Sequence, residues 1–171
     1  MILEPLLPPA PGPAVLAELT ALYASHPEFH TLSGDFPDPH DISPEQVAAA
    51  LSQEGEHPGA EILLARSFGR LIGIAVTLAH HPDPADPDPW IGLLMVDASL
   101  QGQGHGRRLA ALVEDRFRAT GRTAVRLAVL ADNAKALAFW TALGYQVVDH
   151  REDLRHRRPC TVLRKELTTT S

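Results

Sequence analysis

The chain has 171 residues, with 15 Lys and Arg against 21 Asp and Glu, a formal net charge of −6 and a hydrophobic fraction of 44%. That length suits one core, so a single domain is expected over residues 1–171, and the mixed composition excludes wholesale disorder and fibrous repeats. The negative charge, with no long Lys/Arg run, argues against nucleic acid as a partner. Cys160 is the only cysteine, which excludes an intrachain disulfide and zinc on paired thiolates. Met1 to Pro13 has no basic leader, and no run of about 18 apolar residues follows, so a cytoplasmic protein without a membrane span is expected.

In chain order, Val15, Leu16, Leu19, Leu22 and Tyr23 follow helical spacing from Ala14 to Tyr23, and His26-Pro27 reads as the stop. Glu28 to Asp41 has no sustained period and reads as a long loop. Ser43, Pro44 and Gln46 form a capping-box signature for a helix to about Gln53. Glu61–Arg66 and Leu71–Leu78 read as antiparallel strands joined through Ser67-Phe68-Gly69-Arg70. His80 to Pro89 carries four prolines and three aspartates and reads as a second loop. The apolar run Trp90–Val96 is expected as a strand buried on both faces.

After Gly106, Leu109, Leu112, Val113 and Phe117 share one helical face, with Arg108, Glu114, Asp115 and Arg118 elsewhere, and Gly121 closes the helix. Ala124–Leu130 reads as a strand, Asn133–Leu143 as a helix closed by Gly144, and Tyr145–Asp149 and Thr161–Leu167 as strands. The basic cluster Arg151, Arg155, Arg157 and Arg158 reads as a solvated hairpin tip. The pattern predicts an α/β (α+β) protein with a mixed sheet and a central strand–helix–strand unit.

The informative segment is Gln101-Gly102-Gln103-Gly104-His105-Gly106-Arg107, between a strand and an amphipathic helix. Three alternate glycines let backbone N–H groups approach a ligand, and the helix start adds unpaired donors and a positive dipole end, which suits a pyrophosphate. A P-loop would need Gly-Lys-Ser/Thr, which is missing. A dinucleotide fingerprint would need G-x-G-x-x-G, whereas this turn reads G-x-G-x-G.

Gln101 to Gly106 reads Q-x-x-G-x-G and resembles the pyrophosphate motif of the GNAT N-acetyltransferase superfamily. A second segment, Asp132-Asn133-Ala134-Lys135-Ala136-Leu137-Ala138-Phe139-Trp140-Thr141-Ala142-Leu143-Gly144-Tyr145, resembles that family's later strand-to-helix passage. The resemblance covers roughly Trp90 to Val148. It implies a mostly antiparallel twisted sheet with a V-shaped opening between two parallel strands, and acetyl-CoA as cosubstrate. The residues it assigns to the cosubstrate are Leu94, Met95, Val96, Gln101, Gly102, Gln103, Gly104, His105, Gly106, Arg107, Asn133, Ala136, Phe139 and Trp140. The implied activity is direct acetyl transfer to a primary amine of a small molecule, less readily of a peptide or protein, with a homodimer as a family-level expectation. An acyl-CoA sensor without turnover is the alternative.

No catalytic residue is assigned. The backbone N–H near Val96 is the candidate oxyanion donor, and Asp97, Asp35 and His81 are unranked candidates for the base. Trp140 stands where many members carry a Tyr acid, and an indole N–H cannot protonate a thiolate. The acidic loops, with Asp35, Asp38, Asp41, Asp83, Asp86 and Asp88, suit either a cationic acceptor or mere solubility. No metal is expected: the pair His26 and His30 is separated by Pro27, and His80, His81 and Asp83 lie in a proline-rich loop.

Overall fold

The computed structural model describes residues 1–8 and 11–168; of the range read as one domain, 9–10 and 169–171 lie outside the described residues. The elements run β1 (Ile2–Pro5), α1 (Pro13–Ala24), α2 (Pro27–Ser33), α3 (Pro44–Gly55), β2 (Ala60–Ser67), β3 (Arg70–Leu78), β4 (Trp90–Val96), α4 (His105–Ala119), β5 (Ala124–Leu130), α5 (Ala134–Ala142), β6 (Gln146–Glu152) and β7 (Pro159–Glu166). A short 3₁₀ turn, Ala98–Leu100, follows β4. The strands form a seven-stranded sheet in the order β1-β2-β3-β4-β5-β7-β6. Every neighbouring pair is antiparallel except β4 and β5.

Side chains alternate across the strands, so the sheet feeds two apolar layers. Leu63, Ala65, Ile91, Val96, Val125 and Leu127 pack with Leu109 and Val113 of α4. Ile62, Leu64, Ile74, Val76 and Met95 pack with Leu19 and Leu22 of α1 and Val47 and Leu51 of α3.

Local signals were obeyed where they were complete within a few residues. Ser43 Oγ accepts from Gln46 N at 3.2 Å while Gln46 Oε1 accepts from Ser43 N at 3.0 Å, closing the capping box. The β2–β3 turn pairs Ser67 with Arg70 and gives Phe68 and Gly69 φ of 49° and 79°, the left-handed pair that a two-residue hairpin requires.

Several expectations are corrected. Pro27 does not merely stop α1; at the first helical position it starts α2, where its missing N–H costs nothing. The seven residues of α2 are too few to display a period, and burial of His30 against Tyr23 and Phe36 holds them. The reason given against a His26–His30 pair therefore fails, since His26 caps the helix that carries His30; yet their Nε2 atoms bond different carbonyls, Val96 and Tyr23. Glu114, set apart from the apolar face of α4 in the sequence, is buried: its carboxylate accepts from Lys165 Nζ at 2.9 and 3.0 Å and from Tyr145 Oη at 3.1 Å. The last strand in sequence, β7, lies between β5 and β6, so the sheet edges are β1 and β6.

Candidate functional site

β4 and β5 pair only at Trp90↔Arg126 and Ile91↔Leu127 and then separate. The cause is visible in the β3–β4 register, where Val76 faces Leu93 and Thr77 faces Ile91, leaving Gly92 as an extra residue. Such a bulge bends a strand and resets its side-chain parity. Ile91 and Leu94, three apart, accordingly both pack on the α4 side. The strand is therefore not buried on both faces throughout: Gly92 is exposed and Leu93 and Leu94 are half-buried, all on the opening.

The Asp97 N–H bonds the Ile72 carbonyl at 2.8 Å, so by strand alternation the backbone groups of Val96 and Leu94 turn away from β3 into the opening, while those of Met95 face β3. Leu127 to Leu130 of β5 form the opposite wall. The opening continues as one cleft of about 1720 Å³.

At one end lies the glycine turn. Gly102 and Gly104 have φ of 78° and 84°, left-handed conformations that a side chain would strain. Gly104 caps α4, leaving the first-turn N–H groups of His105, Gly106 and Arg107 without helical acceptors. Gly106 packs close to α5: a Cβ there would stand 3.3 Å from the Phe139 ring, which would have to give way by a few tenths of an ångström. Gln101 Oε1 accepts from Lys135 Nζ at 3.1 Å, tying the turn to α5, and both Arg107 and Lys135 line this end. The turn is thus a cationic cradle of backbone donors.

Of the residues singled out in the sequence, Leu94, Met95, Val96, Gln101, Gly102, Gly104, Gly106, Arg107, Asn133, Ala136, Phe139 and Trp140 line the cleft; Gln103 and His105 belong to the turn without lining it. Asn133 Oδ1 is engaged as the cap of α5, accepting from Ala136 N at 3.1 Å, so only its amide NH₂ is left to face the cleft. Trp140 is 7% exposed and packs edge-on to Phe139 and Tyr145. Sequence reading missed Lys135, because one lysine in a helix carries no pattern. It also missed the wall from α2 and the β6–β7 tip, which meet only in space: His26, Phe29 and Leu32 on one side, Arg151 and Arg155 on the other.

The candidate bases are spoken for. Asp97 Oδ1 accepts from Ser99 N and Oγ at 2.9 and 2.7 Å, and Oδ2 accepts from Arg70 at 3.1 Å. Burial alone would raise its pKa, but the bonds from Ser99 and Arg70 outweigh it and hold the carboxyl below its usual range. Asp35 pairs with Arg155 at 3.6 Å and His156 at 3.3 Å. His81 Nδ1 accepts from Asp83 N at 3.0 Å and the ring lies against Trp90. Two aspartates of the loop after β3 face arginines of the sheet, Asp86 with Arg126 and Arg151, and Asp88 with Arg126 and Arg164. Asp35 and Asp83 nonetheless line the cleft. The basic tip between β6 and β7 leaves Arg155 and Arg157 exposed to solvent, as read, and Arg155 also reaches Asp35, just past α2, and Gln53 of α3. No group of three or more His, Cys, Asp or Glu fit for a metal forms among the described residues, and no described helix is long and apolar enough to cross a membrane.

The family model described as the acetyltransferase (GNAT) family matches residues 22–145, most of the chain, and includes both the glycine turn and the α5 segment. The chain belongs to this GNAT acetyltransferase family. Its mixed, mostly antiparallel sheet agrees with that of solved members. An acetyltransferase from Thermus thermophilus superposes with a TM-score of 0.70 over 98% of both chains at 23% identity. A GNAT acetyltransferase from Elizabethkingia anophelis, solved with acetyl-CoA bound, superposes with a TM-score of 0.64 over 97% of both chains at 17% identity. A curated Mycothiol acetyltransferase of Thermomonospora curvata is 40% identical over 86 residues, which is 50% of this chain and 28% of that protein. The chain therefore spans less than a third of that relative's length.

Proposed function

We propose that this chain takes acetyl-CoA as its donor and passes the acetyl group directly to a primary amine of a small molecule. One observation carries the reading: the unpaired backbone of β4 beyond Ile91 and the glycine turn at the start of α4 face a single cleft, which fits a molecule that is part extended amide arm and part pyrophosphate. When bound, acetyl-CoA supplies an activated thioester carbonyl. The N–H groups of α4's first turn, with Arg107 and Lys135, hold the pyrophosphate through aligned donors and positive charge. Leu94, whose backbone groups also face the opening, offers ladder-like hydrogen bonds to the pantetheine amides, and the amide NH₂ of Asn133 reaches the arm from the other side.

The Val96 N–H serves the developing oxyanion, in a site walled by apolar side chains where a fixed donor acts more strongly than in water. Trp140 shapes the wall and donates no proton to the leaving sulfur. A CoA thiolate needs no dedicated acid near neutral pH, because thiols ionise near 8.5. The acceptor enters from the side of α2, the loop after β3 and the β6–β7 tip.

The test has two arms. Calorimetry with acetyl-CoA, CoA and NAD should give binding of both CoA forms and none of NAD. Release of CoA thiol should then depend on an added amine. Binding of acetyl-CoA with no release for any amine would turn the reading into that of a sensor, and no CoA binding would remove it.

A further inference from the structure

Resting on the transfer reading above, we propose that His26 is the base that accepts the proton of the incoming amine. None of the three candidates visible in the sequence is available, as shown by their partners. His26 sits at the α1–α2 junction, lines the cleft, and places Nε2 2.5 Å from the Val96 carbonyl oxygen. A carbonyl only accepts, so Nε2 carries the hydrogen and Nδ1 holds the lone pair. Among the described residues no protein group bonds Nδ1.

The junction is clipped to the end of β4 a second time. Ser25 Oγ donates to Leu22 O at 2.6 Å and accepts from Ala98 N at 3.2 Å. Pro27 fixes the next φ and opens α2. The imidazole is thereby held by the carbonyl of the residue whose N–H is the candidate oxyanion donor, which sets base and oxyanion site side by side. This is the logic of a base oriented by a third group. Proton uptake at Nδ1 makes the Nε2–H···O bond charge-assisted and so stronger.

The step balances. Nδ1 takes one proton from the ammonium, and that N–H electron pair becomes the nucleophilic lone pair. A C–N bond forms at the thioester carbon and the C–S pair departs on sulfur. A second nitrogen proton passes through water to that sulfur, and His26 returns its own to solvent, giving amide, thiol and one proton. The charged and titratable groups on the elements that meet at this junction are Tyr23 of α1, Glu28 and His30 of α2, and Asp97 just past β4, itself paired with Arg70 of β3. Asp35 with Arg155 and His156 stands at the acceptor end. Burial lowers the pKa of His30, so that ring stays neutral and does not compete.

His26→Gln tests this, since its amide N–H can keep the bond to Val96 while removing the base. Both proteins are assayed for thiol release with 1,4-diaminobutane, glucosamine and an alanyl peptide across pH 6 to 10, and for acetyl-CoA affinity by calorimetry. Affinity should be unchanged, and kcat near pH 7 should fall about 100-fold or more, the usual yield of a general base. The variant's rate should climb about tenfold per pH unit until pH reaches the acceptor amine's own pKa, near 8 for the alanyl peptide and about 10 for the alkyl diamine, closing the gap as the amine loses its proton to bulk water. A variant with wild-type turnover and pH profile overturns the His26 assignment alone. So does one that loses affinity in step with turnover, because the residue would then only clip the donor site. If the wild type releases no thiol with any amine, the transfer reading fails and the assignment with it.

Discussion

Two substitutions at Gly104 separate a charge effect from a conformational one. The residue has φ of 84° and a Cβ there would meet nothing within 4 Å. Any side chain therefore costs the left-handed penalty, about 1–2 kcal/mol, without a clash. In a chain of this size that lowers Tm by roughly 2–8 °C. Gly104→Ala and Gly104→Glu should share this loss. Only Glu adds a negative charge beside the proposed pyrophosphate. At roughly 5 Å, and with the near-aqueous screening of an exposed turn, each phosphate charge repels it by about 1 kcal/mol. Two such charges make about 2 kcal/mol, or roughly a 30-fold weaker acetyl-CoA affinity. Calorimetry at low and moderate salt should show Ala within a few-fold of wild type, and Glu weaker by that factor with the gap narrowing as salt rises. Equal affinities for the two variants would refute the placement of the pyrophosphate at this turn.

Three further outcomes are expected. Trp140→Phe should keep kcat within about tenfold, because the indole packs and does not donate a proton; a loss of orders of magnitude in a folded variant would give the position a chemical role. Glu114→Gln strands Lys165 and Arg118 around a neutral amide. It should cost about 2–3 kcal/mol in urea unfolding, below the figure for breaking a fully buried pair since both cations are partly exposed, and leave acetyl-CoA affinity alone. His30 binds a proton less readily folded than unfolded, because burial lowers its pKa. The unfolded chain then takes up more protons as pH falls below about 6.5, so stability is present above that value and declines beneath it. The drop in Tm between pH 7 and pH 5 should shrink in His30→Phe, whose ring suits the stack with Tyr23 and Phe36.

In the acidic loops, tertiary contacts answer part of the charge that composition shows. Six aspartates in two loops look like a surface made for a cation, yet Asp35, Asp86 and Asp88 have arginine partners from β5, β6, β7 and the β6–β7 tip. Nothing near them in sequence announces those partners. The base is a similar case. Asp97 stood next to the candidate donor strand and so drew attention, while His26, seventy positions away from its carbonyl partner, did not.

Legible from residue order alone were features closed within a short stretch of chain. The glycine turn, the Ser43 capping box, the Phe68-Gly69 hairpin and the bounds of β4 and β5 were legible because backbone sterics and adjacent hydrogen bonds decide them. Tertiary structure alone decided the rest. It made a helix of Pro27–Ser33 by burying His30, drew Glu114 into the interior by supplying Lys165 and Tyr145, and placed β6 rather than β7 at the edge. It also opened the cleft, through one extra residue at Gly92 whose effect exists only against the register of β3. Each depends on a free-energy balance between groups far apart in sequence, desolvation against pairing or ladder against bulge, and that balance is struck only when the chain has brought them together.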